Sequence, residues 1–81
     1  MMPLIFASMN TPLIVKDVKG QEKQIRFLKN LGFVKGANIQ VINKNGNNLI
    51  VNVKDTRVAL GKDIANKILV YGDDYENIKR Y

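Results

Sequence analysis

At 81 residues, 46% of them hydrophobic, the chain holds one small domain with an ordinary core and no signature of disorder. It contains no cysteine and no histidine, which excludes a disulfide framework, a thiolate nucleophile and the nitrogen and sulfur ligands of zinc, copper or iron sites. The formal net charge is +6, yet the lysines stand singly with no basic run, the pattern of a solvated surface more than of a nucleic-acid footprint.

The chain opens on MMPLIFASM, which lacks the basic leader and the length of a secretory signal. No stretch is long and apolar enough to cross a bilayer, so no membrane insertion and a cytoplasmic location are expected. Met2, Leu4, Ile5 and Met9 are candidates for exposed apolar residues here. After Thr11-Pro12, the β-branched run LIVKDV (Leu13 to Val18) reads as a first strand. Leu13 and Val15 share one face and Val18 takes the other, so a bulge is expected within it.

Lys19-Gly20 breaks that strand, and Glu22 opens a helix with an acid where the helix dipole favours one. Ile25, Leu28 and Leu31 recur at helical spacing with Phe27 adjoining their arc, while Lys23, Arg26, Lys29 and Asn30 make the polar side. Gly32 stands where a helix end needs positive φ, and Phe33 can then fold back onto the apolar side of the helix. Phe27 and Phe33 are therefore both expected in the core around this corner. Gly36 makes a second turn before ANIQVINK, with Ile39 and Val41 on one face. Asn45-Gly46 is a hairpin signal suited to a type I′ turn. The return strand NLIVNVK alternates, with Leu49, Val51 and Val53 inward and Ile50 outward. Lys54-Asp55 is a second tight turn into TRVALG, and a short turn, KDIAN, precedes a last strand, KILV.

The sum is mostly β: about five short strands with one helix inserted after the first. Such a sheet must curl to hide its edges, and a small SH3-like barrel is the natural solution. An OB-type barrel competes, but there the helix usually lies between the third and fourth strands.

No nucleophile–base pair can be assembled from these residues, and the scattered glycines match no phosphate-cradling loop, so no catalytic residue is assigned. The one group of hard oxygen ligands is Asp73, Asp74 and Glu76, which fits a solvated tail better than a metal site because no coordination geometry follows from its spacing. Arg57 is expected to point out of the sheet beside the Asp55 turn, with a local ion pair or a capping bond to turn carbonyls as its plain role and a protein contact as its functional one. The aromatics do not interleave with basic residues as a base-stacking platform requires.

PLIFA, FLKNLGFVKGANIQV, NGNNLIVNVKDTRVALG and IANKILV together resemble the FeoA family of small ferrous iron transport accessory proteins. The most specific parts are Leu31-Gly32-Phe33 followed by Gly36, and Arg57-Val58-Ala59-Leu60. Members more often carry several arginines in the helix; here KQIRFLKN keeps Arg26 alone among lysines. The resemblance implies a single FeoA-like, SH3-like domain over residues 1–72 with a C-terminal tail at 73–81. It implies a regulatory contact with the cytoplasmic GTPase domain of the membrane ferrous iron transporter, and only an indirect association with ferrous iron. The surface expected to make that contact is Arg26, Leu31, Gly32, Phe33, Val34, Gly36 and Arg57. A small-barrel nucleic-acid module and a metal-responsive sensor using Asp73, Asp74 and Glu76 are the competing readings.

Overall fold

The structure is a computed structural model and describes residues 1–72. Six strands form one antiparallel sheet: β1 (Met2–Pro3), β2 (Leu13–Val18), β3 (Asn38–Asn45), β4 (Asn48–Val53), β5 (Thr56–Gly61) and β6 (Ile68–Gly72). Helix α1 (Glu22–Leu31) follows β2, a single turn of helix, α2 (Lys62–Ala65), follows β5, and a 3₁₀ turn (Leu4–Phe6) follows β1. The strand order is β1-β6-β2-β3-β4-β5, so the last strand lies between the first two.

The sixth strand was not expected. Met2 and Pro3 pair with Val70 and Leu69, and this N-terminal edge carries a proline, which suits an edge strand that donates little to a ladder. The KDIAN segment forms α2 rather than a plain turn, and the last strand runs two residues further than KILV.

The alternation in the strands decides the core. Val15, Ile39, Val41, Val51, Val53, Leu60, Ile68 and Val70 all point to one side and are buried in a single cluster with Leu4, Leu28 and Phe33. Strands from both ends of the sheet feed this one cluster, so the sheet curls around it, and the architecture is the expected small SH3-like one. The expected bulge in β2 is present: the register with β6 shifts between Val15 and Asp17, which turns Val18 toward the core face. A second bulge, between Val41 and Asn43 in β3, was not foreseen.

Both hairpin turns have two residues, but their geometries are the reverse of what composition suggests. Across Gly46 and Asn47 only Gly46 has positive φ (58°), the pattern of type II′ rather than I′. Lys54 and Asp55 both have positive φ (51° and 61°), the I′ pattern, with no glycine at all.

Several burial expectations are corrected. Leu4 is fully buried, and Met2 and Ile5 pack against the core, because the 3₁₀ turn folds this segment over the end of the sheet. Ile50 is half-buried rather than an outward apolar patch. Phe6 and Phe27 are instead among the most exposed apolar residues, at 69% and 59%. Among the described residues, no helix is long and apolar enough to cross a membrane.

Candidate functional site: the corner after the helix

The corner is built by α1 and the six residues after it. Gly32 sits at φ 112°, in the left-handed region. The Phe33 N–H donates to the Leu28 carbonyl (2.9 Å) and the Gly32 N–H to the Lys29 carbonyl (3.0 Å), the paired bonds of a Schellman motif. The two residues whose apolar contact accompanies such a motif, Phe33 and Leu28, both belong to the buried core cluster. Chain reversal is completed by a turn in which the Ala37 N–H donates to the Val34 carbonyl (3.0 Å), with Gly36 at φ 87°, as type II requires. Two further bonds tie the turn to β2: Gly36 N–H to the Val15 carbonyl (2.8 Å) and Val15 N–H to the Ala37 carbonyl (3.0 Å). Every link in the corner is thus held by the backbone.

Glycine at position 32 answers to space as well as to φ. A Cβ there would meet Val53 Cγ2 at 2.9 Å and the Lys54 side chain at 3.3 Å. The stem of Lys54 therefore lies across the corner, placed there by the glycine-free turn at the end of β4.

Between α1, β2 and the corner runs a groove of about 270 Å³. Val18, Ile25, Phe33 and Val34 give it apolar walls, and Asp17, Lys29 and Lys35 line its rim. Val34 is 38% exposed and supplies the accessible apolar surface of the corner.

The sequence-derived surface divides in two. Leu31, Gly32, Phe33, Val34 and Gly36 do come together at the corner. Phe33, however, is fully buried and supports the surface from beneath. Phe27, expected beside it in the core, points to solvent, because one helix on a small sheet buries only a narrow stripe, here Leu28 and Leu31. Arg26 lies on the exposed side of α1 and pairs with Glu22 at 3.0 Å, a surface pair worth about 0.3–0.5 kcal/mol. Arg57 stands on β5 opposite Asn52, exposed as expected. The local ion pair envisaged for it beside Asp55 is absent among the described residues, whose one ion pair is Arg26–Glu22. Lys54 is the residue that reading the sequence missed; only the strand register brings it to Gly32.

Asp73, Asp74 and Glu76 lie outside the described residues. Among the described residues, no three carboxylates are grouped where they could hold a metal ion.

Fold and site together define a small SH3-like domain whose built feature is a surface corner. The FeoA domain matches residues 2–71, and the chain belongs to the FeoA family. It is 29% identical over 75 residues to a protein of Methanocaldococcus jannaschii provisionally named Fe(2+) transport protein A, covering 93% of this chain and 92% of that one. Among solved structures it resembles the crystal structure of an iron uptake regulatory protein, FeoA, at 30% identity and a TM-score of 0.79, over 88% of this chain and 95% of the other. It also resembles the zinc complex of Stenotrophomonas maltophilia FeoA, described as a prokaryotic SH3 domain protein and a candidate activating factor for ferrous iron transport. That match is at 31% identity and a TM-score of 0.77, over 88% of this chain and 91% of the other.

Proposed function

We propose that this protein regulates ferrous iron uptake from the cytoplasm by docking on the cytoplasmic GTPase domain of the ferrous iron transporter. Family membership supplies the setting of ferrous iron transport. The observation that carries docking is the corner: a backbone-fixed turn that holds Val34 out to solvent beside an apolar groove. A rigid apolar protrusion loses little entropy on binding, which is what a contact surface needs. In this reading ferrous iron is the transporter's cargo, and the accessory protein acts by contact without holding it.

Binding of the purified chain to the transporter's cytoplasmic domain tests this directly. Val34→Asp changes an exposed side chain and leaves the corner's backbone bonds in place. It is expected to weaken binding by roughly tenfold or more, as loss of a central anchor does. A folded Val34→Asp protein that binds as well as the parent overturns the assignment of the corner.

A further inference from the structure

We infer that the corner groove receives an acidic peptide segment carrying one apolar side chain; this rests on the docking reading above and names the chemistry of the partner. The slot is apolar inside: Val18, Ile25 and Val34 face it, with the Phe33 ring behind them. Two cations stand on its rim. Lys29 comes from the last turn of α1 and Lys35 from the corner turn. Neither ammonium group has a carboxylate within ion-pair distance among the described residues.

The nearby acids offset that charge only in part. Asp17, on the same rim, accepts the Val18 N–H at 2.8 Å, which turns one carboxylate oxygen toward its own backbone. Glu22, at the far end of α1, is held by Arg26. What complements an apolar slot with two unpaired lysines on its rim is an apolar anchor flanked by carboxylates. Single-stranded nucleic acid would meet the same cations, but it needs an accessible ring to stack on, and the only ring of the groove, Phe33, is fully covered. The groove therefore favours a peptide.

The test uses the full chain and three synthetic peptides of equal length. One is glutamate-rich around a central leucine, one replaces its glutamates with glutamine, and one replaces its leucine with serine. In an NMR titration the first should shift the amides of Ile25, Lys29, Val34 and Lys35, and the other two should bind about tenfold more weakly. The double variant Lys29→Glu/Lys35→Glu, at two exposed positions, should lose a similar factor, whereas Lys62→Glu, at the opposite end of the sheet, should not. Equal binding of the glutamine peptide, shifts confined to other faces, or an oligothymidylate that produces the same shifts at equal affinity would each overturn the inference. If the transporter domain binds but ignores Lys35→Glu, the acidic chemistry is wrong and the docking reading stands. If the glutamate peptide binds as described while the transporter domain does not bind at all, the reverse holds.

Discussion

Two tight structures touch each other in this fold, and they solve the same backbone problem in opposite ways. At the corner, positive φ falls on glycines 32 and 36. At the β4–β5 hairpin, positive φ falls on Lys54 and Asp55, where a non-glycine residue costs on the order of 1 kcal/mol each. Gly32 has no room for a side chain because Val53 and Lys54 fill the space, whereas nothing lies near a Cβ at Gly36. The hairpin, by contrast, needs its side chain: Lys54 is what covers Gly32. The lesson is that left-handed backbone marks glycine only where geometry or neighbours leave no alternative, and strain is tolerated where a side chain has a place to be.

That contrast can be broken most severely through the residue beneath it. Phe33→Ala empties the space under the corner and should cost about 3–5 kcal/mol in urea unfolding, enough to unfold much of a domain this small. A Phe33→Leu protein that keeps its fold with a smaller loss would show that the ring supports the corner by packing.

Next comes Gly32→Ala, which meets both the φ penalty and the 2.9 Å approach to Val53, with an expected cost of about 2–3 kcal/mol. Gly36→Ala meets the φ penalty alone and should cost about 1 kcal/mol. Equal losses for the two, measured by the same urea titration, would mean that the crowding at Gly32 relaxes freely. The smallest effect is a gain. Asp55→Gly relieves the second left-handed position of the hairpin and should stabilise by about 0.5 kcal/mol, less than the full φ penalty because glycine also loosens the unfolded chain. A loss of stability there would show that the Asp55 side chain contributes more than its strained backbone costs.

Much of this was legible in the residues. The first strand, the helix and its end at Gly32 follow from β-branched density, 3.6-residue spacing and a glycine after the last apolar position, and the structure keeps the bounds Leu13–Val18 and Glu22–Leu31. The bulge in β2 followed from the mismatch of Val15 and Val18. The rest depended on neighbours distant in sequence. Met2 and Pro3 are a strand only because Leu69 and Val70 lie beside them, and no local pattern announces a two-residue edge. Phe27 sits at the margin of the apolar arc, and which side of that margin is covered depends on how the helix tilts onto the sheet. The corner's own residues were readable from order alone, but Lys54 joins them through register, and lysine carries no signal for left-handed backbone. The groove's rim is hidden for the same reason: Asp17, Lys29 and Lys35 stand apart in the sequence and line one groove only once the helix end folds beside β2.

The place of β6 between β1 and β2 has a consequence for how the chain is made. Leu13, Val15 and Val18 are synthesised well before their partners on that edge, Ile68 to Gly72. The β3–β4–β5 meander can form as it emerges, while β2 keeps an open flank until the last strand arrives between it and β1. Nascent chains halted before Ile68 should therefore carry a sticky, unpaired β2.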